Sequence, residues 1–368
     1  MEKATVTLIG LVVLLTATGF AGPRDSGKSE KRPTLRLVLA KTNVLGSFLT
    51  DEAVYSDKKN IYLASYEGNL FVLDKSKKDY PVIAVIPVSE APLRSVRGAD
   101  QTIYVTCADG NLYVYSATKG FPELAAAHYS RYGLNSLYVD EESVFVSQGQ
   151  GEMTATSRTL YLSELNQGDI AFDINKATPI LIEPFGQTFQ PTATVAYDRS
   201  SGAQLGRIAN PPDLLGRVGT VDLYVHSDIL MQTIPGCCGS GLYMYDAVSL
   251  QFLGWIPQPF ANTAVMLRSG LLAIGTEVGT VEVFDITNPS APQLVTSADL
   301  RQLTGHTGPE DIEIRSLWED QQTGQIYAGS SWGNDVSRSP SLPAFFVLEL
   351  TQATSTGPWL NSGTFNNN

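Results

Sequence analysis

Cysteine is scarce, three residues in 368, too few for a disulfide framework to replace a hydrophobic core. Histidine is equally rare: His128, His226 and His306 show neither H-x-x-x-H nor H-x-H spacing, which argues against a histidine-rich metal centre. Charge is sparse at 17% and lopsided, 37 acidic side chains against 25 basic, for a formal net charge of −12. Such a surface repels nucleic acid and anionic membrane as general partners. Past Phe20 no apolar run approaches the ~20 residues of a membrane span. There is no G-x-S-x-G nucleophile elbow and no C-x-x-C-H haem site. What the chain does have is apolar content, 43%, enough for one large core or two ordinary ones.

The first residues predict an export signal. Met-Glu-Lys is followed by an apolar run from Thr5 to Phe20, and small residues surround Ala21 where a signal peptidase would cut. No membrane association is expected beyond that signal peptide. The absence of an Asn-x-Ser/Thr acceptor with a permitted middle residue points to a bacterial periplasm or exterior. The expected organisation is a signal peptide over 1–21, a flexible leader over 22–34, a β-propeller over 35–352 and a C-terminal tail over 353–368. Within the leader, GPRDSGKS (22–29) matches the phosphate-loop pattern, but that loop works only between a strand and a helix, and Pro33 is poorly placed for a helix. It reads as leader.

From residue 35 onward, short runs rich in β-branched and aromatic residues alternate with Gly, Asn, Asp and Ser, with almost no helical periodicity. The fold class is all-β. The runs repeat: GNLFVLD, GNLYVYS, TLYLSE, TVAYD, GLYMYD, TVEVFD and AFFVLE end at Asp74, Ser116, Glu164, Asp198, Asp246, Asp285 and Glu349, spaced by 42, 48, 34, 48, 39 and 64 residues. A period near forty is that of a four-stranded propeller blade, so these strands predict a seven-bladed β-propeller. A second register agrees. Strands beginning at Ile61, Ile103, Val144, Ile229 and Leu271 are each preceded by nine residues by Glu52, Arg94, Asn135, Thr220 and Asn262, candidates to open the innermost strands. One interval, 85, is twice the others and marks an irregular blade within 165–215. Glu310 opens the last blade by pattern. LRLVLA (35–40) has no partner of its own, so residues 35–42 are expected to close the ring as the outer strand of the seventh blade.

The stretch GTVEVFDITNPSAPQLV (279–295) resembles the LVIVD-type repeat of bacterial exported propellers, and IYLASYEGNLFVLD and IYVTCADGNLYVYS resemble the tyrosine-valine repeats of surface-layer and lactonase-like propellers. These resemblances imply a fold and an exported setting, and no single activity.

In such a fold the inner strand begins on the face to which the loop between second and third strands returns. Those loops are long in SQGQGEMTATSRT (147–159), IPGCCGSG (234–241) and SSWGNDVSRSPSLPA (330–344), which makes that face the expected place to bind a protein, a glycan or a small ligand. Cys237 and Cys238 sit at one loop tip, open to a vicinal disulfide, to two free or metal-capable thiols, or to pairing with another chain. Cys107 reads as core. The ligand-binding candidates are the ring Glu52, Arg94, Asn135, Thr220, Asn262 and Glu310. No cofactor is predicted from motifs, but the oxygens of Glu52, Asn135, Asn262 and Glu310 suit calcium, and the resemblance to lactonase-like propellers implies a channel metal held by Glu, Asn and Asp. His306, beside Glu310 and Asp311, is a candidate general base. Three readings follow: a binding module, a lactonase-like metal-dependent hydrolase, and an accessory subunit of a periplasmic enzyme complex. Adjacent cysteines also occur in quinone-dependent alcohol dehydrogenases, whose docking motifs are missing here.

Overall fold

The structure, a computed structural model, describes residues 33–41, 49–99, 101–128, 133–139, 144–148, 159–162, 170–182, 186–198, 204–209, 222–226, 228–234, 241–305, 312–332 and 344–351. These residues form strands almost throughout. β1 (Thr34–Lys41) is followed by the first sheet, β2 (Leu49–Ser56), β3 (Asn60–Ser65), β4 (Asn69–Asp74) and β5 (Val82–Pro87). The second holds β6 (Leu93–Ala99), β7 (Thr102–Cys107), β8 (Asn111–Ser116) and β9 (Glu123–His128), and the third β10 (Leu134–Val139) and β11 (Val144–Gln148). The fourth holds β12 (Thr159–Leu162), β13 (Ile170–Ile182), β14 (Gly186–Asp198) and β15 (Gln204–Ala209). The fifth holds β16 (Asp222–His226), β17 (Ile229–Ile234), β18 (Gly241–Asp246) and β19 (Phe252–Ile256). The sixth holds β20 (Ala261–Met266), β21 (Leu271–Thr276), β22 (Thr280–Asp285) and β23 (Gln293–Asp299), after which comes a single helical turn, α1 (Leu300–Thr304). The last holds β24 (Ile312–Glu319), β25 (Gln325–Trp332) and β26 (Phe345–Thr351).

Each of these sheets is an antiparallel meander, and β1 supplies the fourth strand of the last by pairing with β26, Leu35 opposite Leu350 and Lys41 opposite Phe345. The opening strands neighbour one another in succession, β2 beside β6, then β10, β12, β16, β20 and β24, and β24 lies beside β2. One part of the expected strand order is corrected. TLYLSE is not the third strand of the third sheet. β12 pairs instead with β13, Leu160 opposite Phe172, and opens the fourth sheet. Strands adjacent in sequence pair readily, and the 13-residue β13 offers β12 a long edge. Among the described residues the third sheet is therefore the hairpin β10–β11 alone.

Burial explains the continuous apolar runs. All six residues of β3 are buried, as are four of six in β4, because sheets pack on both faces of the middle strands. The outer β5 alternates half-buried and exposed residues instead. The core between the first, second and last sheets is built from Leu49, Val54, Ile61, Tyr62, Leu93, Val105, Tyr327 and Phe345 among others.

Two turn chemistries account for the repeat in the sequence. Between second and third strands the chain needs a left-handed residue, supplied by Gly68 at φ 80°, Gly110 at 87° and Gly279 at 79°. At Gly68 a Cβ would also stand 1.9 Å from the carbonyl oxygen of Ser89, so the turn admits no side chain. At the end of the third strand the acidic residue caps the next turn. Asp74 Oδ1 accepts from the amide and hydroxyl of Ser76, Asp246 Oδ1 from Val248 and Ser249, and Asp285 Oδ1 from Thr287. These bonds hold the Asp74 and Asp246 carboxyls below the usual carboxylate range.

Candidate functional site

Five of the opening strands share a local distortion. Pairing slips between Leu49 and Val54 in β2, Leu93 and Ser95 in β6, Leu134 and Leu137 in β10, Ala261 and Thr263 in β20, and Ile314 and Ser316 in β24. These are β-bulges, which bend a strand and re-aim its side chains. Four of the ring candidates, Glu52, Arg94, Asn135 and Asn262, fall inside them. In the last sheet the bulge holds Arg315. Thr220, Glu310, His306, Cys237 and Cys238 lie outside the described residues, as do the greater parts of the three long loops.

Glu52 is the most constrained of these residues. It is buried and has a left-handed backbone, φ 53°, which a non-glycine residue adopts only where its surroundings over-determine it. Its Oε2 accepts from the hydroxyl of Ser95 at 3.0 Å on β6 and from the backbone amide of Leu137 at 3.4 Å on β10. One carboxylate thus ties three successive sheets. Arg97 completes the cluster: its guanidinium stands 3.9 Å from Oε2, and its Nη1 donates to the carbonyls of Glu52 (3.1 Å) and Val96 (2.8 Å). The same guanidinium lies 5.3 Å from the ring centre of Trp318 on β24.

Asn262 plays a similar part elsewhere. It is buried, its Nδ2 donates to the carbonyl of Ile314 at 3.1 Å, and its own carbonyl accepts from Thr233 Oγ1 at 3.1 Å. Between the last sheet and the first, the amide of Val54 donates to the buried Ser316 Oγ at 3.1 Å. A polar belt therefore links opening strands through bulge residues and the small hydroxyl residues that follow them. Sequence reasoning missed Ser95, Arg97 and Ser316. Their signal was the small residue one step after the bulge, S in LRSVRG and S in IRSLWE, which spacing between candidates does not rank.

This chemistry bears on calcium. Oε2 of Glu52 accepts two hydrogen bonds and faces a guanidinium, and Asn262 donates its amide to a carbonyl; the side chain of Asn135 and the whole of Glu310 lie outside the described residues. Among the described residues no group of three or more His, Cys, Asp or Glu side chains is placed to hold a metal. Cys107 is buried at the end of β7, and loss of solvent pushes its thiol up to about 11, the behaviour of an inert core thiol. No helix among the described residues is long and apolar enough to cross a membrane.

No family model matches the chain, and no curated protein matches it. Among solved structures, a crystal structure of the computationally designed Ika8 protein is similar at a TM-score of 0.52 and 12% identity, over 82% of this chain and 98% of that one. The likeness extends to the fold alone.

Proposed function

We propose that the sheets are the blades of a seven-bladed β-propeller, and that the protein is an exported binding module whose ligand, a protein, glycan or small molecule, is taken by the long-loop face. The succession of opening strands that returns from β24 to β2 supports the first part. The commitment of Glu52 and Asn262 to neighbouring strands carries the second: the polar residues of the belt secure the scaffold, which leaves ligand contacts to the loops above it. In an antiparallel meander the start of the first strand and the turn between second and third share one end, as Leu49 opposite Ser65 illustrates. The second strands from which residues 147–159, 234–241 and 330–344 continue end at that same end: Gln148 lies opposite Leu134, Thr233 opposite Asp222 and Trp332 opposite Ile312.

The test is to replace loops 234–241 and 330–344 with the short turn SYEGN of the first sheet, to exchange residues 149–158 for a Gly-Ser segment of the same length, and to probe wild type and variant on a glycan array and a displayed peptide library. A ligand retained by the wild type and lost by the variant, at unchanged circular dichroism, supports a loop-borne site. Binding that survives the replacement refutes it. Stoichiometric calcium in the purified protein, with a melting temperature that falls on chelation, would favour a lactonase-like hydrolase instead.

A further inference from the structure

The outer strand β9, ELAAAH, differs from the other outer strands. All six of its residues are exposed, whereas β5 alternates and β19 and β23 each turn residues inward. Among the described residues its outer edge has no neighbour within the sheet, whose order is β6-β7-β8-β9. Beyond a bulge at Leu124, the run Ala125 to Ala127 contains no lysine, proline or bulky side chain, the devices that usually blunt an open edge.

The ends of the strand are chemically distinct. Glu123 lies opposite Tyr115 and His128 opposite Asn111, and the bulge brings both onto the face that carries Tyr113 and Ala126. Both are held in place: Tyr115 donates to Glu123 Oε2 at 3.3 Å, and His128 Nδ1 is 3.0 Å from Asn111 Oδ1. An antiparallel copy of the same strand would set the Glu123 end of one chain beside the His128 end of the other. A parallel copy would set like ends together. The alanines between them allow close approach, with Ala126 on the two-fold axis.

We propose that β9 is a self-association edge, on which a second copy of this chain docks its own β9 antiparallel to make one continuous eight-stranded sheet. The pairing of acid end with imidazole end, and the small residues at its centre, favour that occupant over an unrelated peptide. So short an edge buries less than a permanent dimer needs, so the expected affinity is weak, on the order of tens of micromolar.

Sedimentation equilibrium of the full chain from about 5 to about 500 µM tests this over the range where weak interfaces populate. The wild type should rise from one chain toward two. Ala126→Lys, which places two ammonium groups on the axis at an exposed position, should remain a single chain with an unchanged melting temperature. Glu123→Lys should weaken association at least tenfold, and adding His128→Glu should restore it. A wild type that stays monomeric throughout, or an Ala126→Lys variant that dimerises as readily as the wild type, overturns the proposal.

Discussion

The first sheet is fastened differently on its two sides. Toward the second sheet the fastening is a buried carboxylate: Glu52 receives Ser95 and Leu137, and the Tyr55 hydroxyl donates to the carbonyl of Gly98 at 3.0 Å. Toward the last sheet it is an ion pair. Lys75 Nζ meets Asp320 Oδ1 at 2.8 Å, with the side chains only 6% and 1% exposed, and also donates to the carbonyl of Asp57. Around that pair Thr323 donates to Asp320 Oδ2, Tyr80 to Gln325 Oε1 and Trp318 Nε1 to Ser56 Oγ. The second sheet is joined within a continuous run of sequence. The last is joined across some 245 residues, from Lys75 to Asp320, where chain connectivity gives no help. A buried ion pair is weak evidence of net stabilisation, but once its partners are in place, removing one leaves an uncompensated charge. That makes the far seam the more brittle of the two.

The largest expected effect follows from that asymmetry. Lys75→Met should cost about 3–5 kcal/mol, because the Asp320 carboxylate would remain buried without its cation; chemical denaturation would measure it. Its pH dependence sharpens the point. Burial alone would raise the Asp320 carboxyl, but bonds from Lys75 and Thr323 outweigh it and hold the group below its usual range. A carboxyl depressed in the folded state stabilises above its unfolded value, and that contribution is lost as pH falls through the folded one. The wild type should therefore weaken below about pH 4. Without Lys75 less opposes that burial, so the deficit of Lys75→Met should shrink on acidification from neutral pH. A deficit that stays constant with pH would place the ion pair's role elsewhere.

Next in size is the near seam. Glu52→Ala should cost about 2–3 kcal/mol by orphaning the Leu137 amide and the Ser95 hydroxyl, whereas Glu52→Gln keeps an acceptor and should cost about 1 kcal/mol. Equal losses for the two would show that charge, not hydrogen bonding, fastens that side. Ser316→Ala strips a single acceptor from the Val54 amide and should cost about 1–2 kcal/mol, read as a fall in melting temperature. Smallest is Arg36→Ala at the outer edge of the last sheet. Arg36 and Glu349 form a salt bridge with side chains 67% and 43% exposed, and such pairs contribute under about 1 kcal/mol. A loss there as large as at Lys75 would mean that β1 is held by charge, not by its ladder with β26.

The local grammar was legible in the sequence. Glycine before the third strand and aspartate at its end mark turns whose chemistry belongs to a few consecutive residues, so EGN, DGN and VGT place Gly68, Gly110 and Gly279 correctly. The nine-residue spacing likewise landed Glu52, Arg94, Asn135 and Asn262 on the opening-strand bulges. It did not distinguish what those residues do there. The guanidinium beside Glu52 belongs to Arg97, which the spacing did not single out, because the bulge changes which residues of β6 share a side. TLYLSE failed for a related reason: its pattern fits any half-buried strand, and its sheet depends on which edge is available to pair with it.

By itself, then, the sequence determined the all-β class, the turns, the repeat near forty residues and the strand at Thr34–Lys41 that needed a partner. Those features rest on interactions between near neighbours along the chain. Tertiary structure alone decided that Lys75 faces Asp320, that the Val54 amide is answered by Ser316, and that Glu52 spans to Leu137. The reason is physical: a buried polar group must be satisfied by whatever side chain the packing brings within about 3 Å, and distance along the chain sets no limit on which one that is.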